Sequence, residues 1–237
     1  MIGIIGGSGL ETFPFSGQVE ELLITTPFGK VTAKQSGNLA FISRHGEAHQ
    51  IAPHQVNFRA NIWALGQLQV TGIIATAAVG ALNMSYKPGE LIILDDFIDL
   101  TRQRPLSFYS HGAVVHTDMG QPFDRELNQR LSRVIQSETG QSPPAAVYVA
   151  VEGPRFETRA EIKYMNMIGG SVVGMTIVPE VVLAKEKSLP YAVIGLVTNY
   201  ACGVIEQPVS NEAVQATMRH NQERLARLIT AAATDQS

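Results

Sequence analysis

Four stretches of the chain concentrate residues able to do chemistry. Gly6-Gly7-Ser8-Gly9 directly follows an apolar run at residues 2–5, and its small residues let backbone N–H groups and one hydroxyl approach an anion closely. A dinucleotide fingerprint needs a third glycine where Thr12 stands, a Walker loop needs Gly-Lys-Ser/Thr, and a nucleophile elbow needs glycine where Leu10 stands. An anion cradle and a plain tight turn are the readings left. The second stretch, Ser43-Arg44-His45-Gly46-Glu47-Ala48-His49, ends another apolar run, with His54 beyond it. Three of the six histidines fall within ten residues, but the order is not His-Glu-x-x-His and no carboxylate set accompanies them, so a metal fits poorly. The forked donors of Arg44 and a further donor on His45 suit an oxyanion better.

In the third stretch, Ala75-Thr76-Ala77-Ala78-Val79-Gly80-Ala81, small side chains leave backbone amides free to meet a ligand, or let a strand pack closely on a helix. The fourth is composite: residues 152–159, 174–180 and 197–203 each follow or end an expected strand. A carboxylate (Glu157), a hydroxyl (Thr176) and an amide (Asn199) could then converge on one crevice outside the carboxyl edge of a sheet. Taken singly, Glu157 reads as an exposed helix-start carboxylate, Asn199 as a turn residue, Met175 as core and Cys202 as a small buried side chain.

The elements that must position these groups read as α/β. Short β-branched runs recur at residues 2–5, 39–43, 71–75, 91–94, 146–151, 171–174 and 192–198, with helix-period stretches between several of them. This predicts a single α/β domain over residues 1–237, with a central mixed, largely parallel sheet flanked by helices and buried on both faces. Helices are expected after Pro53, through Val56, Ala60, Trp63 and Ala64, and over 156–167 and 179–187. The last helix starts at Pro208, Ser210 and Glu212 and carries an apolar stripe of Val214, Met218, Leu225, Leu228 and Ile229 to about Ala233. Residues 101–118 hold two Arg, two His, two aromatics and two Ser, a composition too ligand-like for a plain connection of that length.

Composition narrows the class of function. The 237 residues are 45% hydrophobic and 16% charged, with formal net charge −3, which excludes intrinsic disorder. Without a basic block longer than two residues, neither nucleic acid nor a membrane surface is an expected partner; a small neutral or anionic ligand is. A single cysteine rules out an internal disulfide, and the opening MIGIIGG lacks a basic region and a long apolar core, so a cytoplasmic protein is expected.

Together the segments resemble the trimeric purine nucleoside phosphorylase and methylthioadenosine phosphorylase family. The likeness is carried by IIGGSGL, SRHGEAH, PHQVNFRANIWAL, ATAAVGAL, PGELIILDDFIDLT, RPLSFY, EGPRFETRAEI, VGMTIVPEVVLAKE and VTNYACG, in order between Ile4 and Gly203. It implies a phosphorylase fold, inorganic phosphate as co-substrate, a homotrimer or dimer of trimers, and neither metal nor organic cofactor. Residue by residue, it puts phosphate on Ser8, Arg44, His45, the backbone of Ala77 and Ala78, and Thr176. It puts ribose near Met175 and the purine near Phe156, Glu157, Asn199, Tyr200 and Ala201. His116 is similar to the residue that the family sends across a subunit interface toward the sugar's 5′ end, which would explain the long 101–118 stretch. Asn199 and His45 are the expected catalytic groups.

Methylthioadenosine phosphorylases carry two aspartates flanking a tyrosine where this chain has Asn199 and Ala201. Asn199 can offer its NH2 to a 6-keto oxygen, and Glu157 can accept from a purine N1–H, whereas adenine would meet Glu157 acceptor to acceptor. Buried partners left unpaired reject the wrong base strongly, so 6-oxopurine nucleosides are the expected substrates, with 5′-methylthioinosine or methylthioadenosine as the alternative. Asn211, a polar residue where adenosine-type enzymes favour an apolar one, favours a 5′-hydroxyl. A catalytically silent purine-binding protein and a nucleoside hydrolase are the rival classes.

Overall fold

The computed structural model describes residues 1–110, 112 and 114–235. Among these residues there are nine strands, seven of them built on the β-branched runs: β1 (Ile2–Gly6), β2 (Glu20–Thr26), β3 (Gly29–Ser36), β4 (Leu39–Ser43), β5 (Gly72–Ala81), β6 (Leu91–Asp99), β7 (Ala145–Ala150), β8 (Val172–Gly174) and β9 (Tyr191–Tyr200). They make one mixed sheet in the order β2-β3-β4-β1-β5-β8-β7-β6-β9, and β9 also pairs with β5. That last pairing closes five strands into a ring, from which β1, β4, β3 and β2 extend as an open wing. β1 runs parallel to β4 and β5, and β5 parallel to β9, while β5 with β8 and β6 with β9 are antiparallel. The sheet is thus mixed, as the alternation of strands and helices predicts.

Five helices cover it: α1 (Phe58–Gln67), α2 (Arg125–Thr139), α3 (Arg159–Met167), α4 (Glu180–Glu186) and α5 (Asn211–Thr234). α1 and α4 pack together on one side, with Phe58, Ile62 and Leu65 meeting Val181 and Leu183 in a core that includes Ile73, Ala75 and Val193. α2 and α5 cover the other side, where Leu127, Leu131 and Ile135 meet Leu225, Leu228 and Ile229 over Ile4, Ile74 and Ile194. β1 is buried throughout and β9 nearly so, which is why their sequences lack a polar alternation. α5 begins where its Ser210 start signal lies, the side chain accepting from Ala213 N.

Several elements depart from the sequence reading: β6 runs on to Asp99 instead of ending at Leu94, α1 begins at Phe58 and so leaves out Val56, and α3 begins at Arg159 instead of Phe156. The hairpin of β2 and β3 is absent from that reading, because Glu20, Glu21 and Leu23 are exposed and the strands lie at the sheet's outer edge. α2 is also absent, although Asp124 caps it by accepting from Leu127 N and Gly140 ends it in the left-handed region at φ 75°. β5 continues to Ala81 instead of stopping at Ala75, and the small residues read as a strand end lie inside the strand.

Candidate active site

The site is built on an interruption in the sheet. β1 leaves β5 after the pair Ile5–Ala75, and β8 joins it only at Gly80–Val173, so one edge of β5 is open over residues 76–79 while the other stays bonded to β9. Buried backbone groups must find partners. Thr76 O accepts from Arg44 Nη1 at 2.9 Å, and Thr76 Oγ1 accepts from Gly7 N at 2.9 Å. The period-two alternation of a strand then places the N–H and C=O of Ala78 next along that edge.

A cavity of about 400 Å³ lies against this opening, and Ser8, His45, Ala77, Ala78 and Thr176 are among the residues that line it. Ser8 sits in a turn closed by Leu10 N donating to Gly7 O at 3.0 Å. Gly9 must be glycine: its φ is +77°, and a Cβ there would lie 2.3 Å from Met218 Cβ on α5. Thr176 is fixed through its backbone, N–H to the buried Tyr148 Oη at 3.0 Å, which leaves its hydroxyl for the cavity. Two hydroxyls and a strip of backbone therefore face one small volume, an arrangement suited to the oxygens of a tetrahedral anion.

His45 departs from its expected role as a donor. Its Nδ1 lies 2.8 Å from Ile51 O, and since a carbonyl only accepts, Nδ1 carries the ring proton. Burial, reinforced by the Arg44 charge, lowers its pKa to about 4. At neutral pH the ring therefore presents Nε2 as an acceptor, able to receive an O–H of a protonated oxyanion.

Arg44 does not line the cavity. Its Nε and Nη2 donate to Glu180 Oε2 and Oε1 at 2.8 and 2.6 Å, and both side chains are fully buried. Tyr191 Oη donates to the same Glu180 Oε1 at 2.5 Å. Burial opposes the guanidinium charge, but Glu180 more than offsets it and holds the pKa above the ordinary arginine range. The fork that would grip an anion is occupied by a carboxylate of matching geometry. Arg44 instead backs the glycine turn, since a Cβ on Gly7 would fall 2.7 Å from its Nη1.

Phe156, Glu157, Met175, Asn199 and Ala201 line the same cavity. Glu157 precedes the capping box of α3, in which Thr158 accepts from Glu161 N and the Glu161 carboxylate accepts from Thr158 N. Burial pushes its carboxyl above the usual glutamate range, and the nearby Glu161 charge acts the same way. Asn199 has a fixed amide orientation. Nδ2 donates to Tyr200 O at 2.9 Å and Oδ1 accepts from Thr198 Oγ1 at 2.8 Å; turning the amide over would set oxygen against oxygen at Tyr200. One Nδ2 hydrogen remains to be donated.

Tyr200 contributes that carbonyl and is not a lining residue. His116 is exposed and also lies outside the lining. Asn211 does line the cavity, joined by Val209, Val214 and Gln215, which the sequence reading missed. Asn211, Val214 and Gln215 fall at i, i+3 and i+4 on α5, the spacing that puts them on one helix face. In the 101–118 stretch, of which 111 and 113 lie outside the described residues, Arg104 donates to Val178 O at 2.5 Å and Glu152 O at 2.8 Å, neither of which lines the cavity. Among the described residues no group of three His, Cys, Asp or Glu is arranged to hold a metal, and no helix is long and apolar enough to cross a membrane.

Residues 1–234 match the family model described as the Phosphorylase superfamily. The chain belongs to this superfamily. It is 42% identical to the 6-oxopurine nucleoside phosphorylase of Pyrococcus furiosus, over 98% of this chain and 91% of that one. It is 43% identical to a probable S-methyl-5′-thioinosine phosphorylase of Methanothermobacter thermautotrophicus, over 99% and 84% respectively. Among solved structures it is similar to the methylthioadenosine phosphorylase of Schistosoma mansoni in complex with adenine, with TM-score 0.92 and 33% identity over 98% of this chain and 90% of that one. The phosphorylase thus shares its fold with relatives whose names differ in the base and in the sugar's 5′ substituent.

Proposed function

We propose that this phosphorylase cleaves 6-oxopurine nucleosides, inosine and guanosine, by reversible phosphorolysis to the free base and ribose 1-phosphate, in purine salvage in the cytoplasm. The observation that carries the reading is that Glu157 and Asn199 line the same cavity as Ser8, Thr176, His45 and the open edge of β5. A 6-oxopurine presents an N1–H donor and an O6 acceptor, complementary to a carboxylate and an amide N–H. Adenine presents the reverse pattern.

In the reaction an oxygen of phosphate forms a bond to C1′ as the C1′–N9 bond breaks, and the electron pair departs with the purine. Positive charge grows on the sugar and negative charge on the base, so rate depends on an anion held beneath C1′ and a donor at the leaving ring. Ser8, Thr176 and the backbone at Ala77 and Ala78 hold the phosphate, with His45 Nε2 accepting its remaining O–H and Arg44 stiffening the glycine turn. Asn199 donates to the base as charge develops at O6 and N7, with Thr198 and Tyr200 fixing the amide. Glu157 orients the ring, and Met175 packs beside the sugar. Phosphate is co-substrate, and no metal or organic cofactor takes part. A neighbouring subunit of a homotrimer, or of a dimer of trimers, brings His116 to the sugar's 5′ end.

Val209 and Val214 favour a second reading at that end alone. Two apolar side chains beside Asn211 and Gln215 suit a 5′-methylthio group as well as a 5′-hydroxyl. The test is base release from inosine, guanosine, adenosine, 5′-methylthioinosine and methylthioadenosine, each with and without phosphate. Phosphate-dependent cleavage of inosine and guanosine is expected. Preference for methylthioinosine would keep the base reading and overturn the sugar reading; preference for an adenine nucleoside would overturn the roles of Glu157 and Asn199.

A further inference from the structure

Arg104 is buried although it belongs to the 101–118 stretch, and four of its five guanidinium N–H groups are donated. Nη2 donates to Val151 O at 3.1 Å and Glu152 O at 2.8 Å, Nη1 to Val178 O at 2.5 Å, and Nε to Glu152 Oε1 at 3.0 Å. The Glu152 carboxylate turns back on the same stretch, its Oε2 accepting from Arg102 N at 2.7 Å and Gln103 N at 3.1 Å. Desolvating a guanidinium is costly, and a planar fork so fully committed holds its acceptors to one geometry.

The three carbonyls belong to the two segments that feed the cavity. Val151 and Glu152 shortly precede Phe156 and Glu157, and Val178 shortly follows Met175 and Thr176; these four residues line the cavity, whereas Arg104 does not. The segments also meet directly. Val151 N donates to Gly174 O at 3.0 Å, and a Cβ on Gly153, whose φ is +67°, would lie 2.6 Å from Met175 Sδ. That backbone bond ties residue 174 to residue 151, and Arg104 ties residue 178 to residues 151 and 152. Met175 and Thr176 are thus bracketed by two fixed points, both referred to the start of the segment that carries Glu157. The guanidinium also rests over the Phe58 ring of α1, its Cζ 5.3 Å from the centroid.

We infer that Arg104 is a positioning residue that sets the segment carrying Glu157 against the segment carrying Thr176, and so governs both phosphate affinity and the choice between 6-oxo and 6-amino purines. The inference rests on the roles proposed above for Glu157 and Thr176. Phosphorolysis needs a phosphate oxygen and the purine nucleoside in register at C1′, and a misplacement of about 1 Å can cost about 100-fold in rate. Arg104 touches neither substrate; it acts through the three carbonyls. A lysine at this position keeps the charge but not the fork, since a single ammonium on a flexible stem cannot hold all three acceptors in fixed relation.

The test is initial rates for Arg104→Lys, well below its melting temperature, with inosine and adenosine varied at saturating phosphate and phosphate varied at saturating inosine. The phosphate KM is expected to rise about fivefold, and the ratio of inosine to adenosine kcat/KM to fall about tenfold. A purely structural role would lower the melting temperature and the active fraction, which scales every rate alike and moves neither the ratio nor the KM. Glu152→Gln sets an amide NH2 against either Arg104 Nε or the N–H groups of Arg102 and Gln103, and is expected to move both readouts in the same direction by about twofold to threefold. It decides the matter if Arg104→Lys does not fold. A parent-like phosphate KM or a parent-like ratio in the deciding variant would overturn the inference while leaving the phosphorylase reading intact. Absence of phosphate-dependent cleavage of either nucleoside by the parent chain would overturn both.

Discussion

Replacing Glu180 by alanine leaves the Arg44 guanidinium in the interior with Thr76 O as its one remaining protein acceptor in the described structure. Both partners are fully buried, joined by bonds of 2.8 and 2.6 Å, and Tyr191 adds a third bond to the same carboxylate at 2.5 Å. Breaking such a pair from one side costs about 3–5 kcal/mol, most of it the desolvated charge left behind. For a chain of this size that corresponds to a melting temperature lower by about 6–20 °C. Guanidinium titration at fixed protein concentration is the assay, with the midpoint falling and the slope unchanged. The double variant Arg44→Met with Glu180→Leu removes both charges and is expected to recover most of the lost stability, because well-packed apolar residues replace buried ion pairs at little cost. It is not expected to recover phosphate affinity, since nothing then stiffens the Gly7 turn. A loss below about 1 kcal/mol for Glu180→Ala would refute the reasoning, by showing that water or a rearranged neighbour satisfies Arg44.

Four further outcomes follow from the same geometry. Asn199→Asp removes the N–H aimed at the base and sets a carboxylate oxygen against Tyr200 O, so kcat/KM for inosine should fall about 100-fold or more while adenosine gains relative to it; unchanged values for both would contradict the assignment. The raised Glu157 pKa means that the folded chain favours the protonated acid: stability linked to this group is full below the unfolded value near 4.5 and is lost as pH rises through the folded pKa. Glu157→Gln should therefore melt higher than the parent at pH 8 and equally at pH 4, with inosine kcat/KM lower by about tenfold at pH 8, as thermal scans and initial rates would show. Parent inosine turnover should itself fall on acidification, starting at higher pH than an ordinary glutamate would dictate. Gly7→Ala brings a methyl within 2.7 Å of Arg44 Nη1 and 2.8 Å of Thr76 O, and is expected to cost about 1–3 kcal/mol and to raise the phosphate KM more than the nucleoside KM.

Much of this fold is legible locally. β1, β4, β7 and β9 are buried on both faces and therefore read as continuous apolar runs, and α5 carries both a start signal at Ser210 and a one-sided stripe. The misses share a physical cause, which is that small or exposed residues weaken periodicity. Ala77, Ala78 and Gly80 read as a strand end until their pairing with β9 is seen, and Leu23, two-thirds exposed, gives β2 no buried alternation. α2 had complete caps in Asp124 and Gly140, a signal present but unused. Within the site, chain position could indicate that Ser8, Thr176, Glu157 and Asn199 end strands or open helices. It could not indicate that Glu180, 136 residues along the chain from Arg44, captures its fork, nor that Ile51 O fixes the His45 tautomer. Those facts depend on which distant elements the closed part of the sheet brings together.

The most direct measurement is the stoichiometry of inosine cleavage by the purified chain, with hypoxanthine and ribose 1-phosphate quantified in matched reactions with and without inorganic phosphate. Equimolar hypoxanthine and ribose 1-phosphate, with no release when phosphate is omitted, is the predicted result. Hypoxanthine released with free ribose in the absence of phosphate, or no release under either condition, would contradict it.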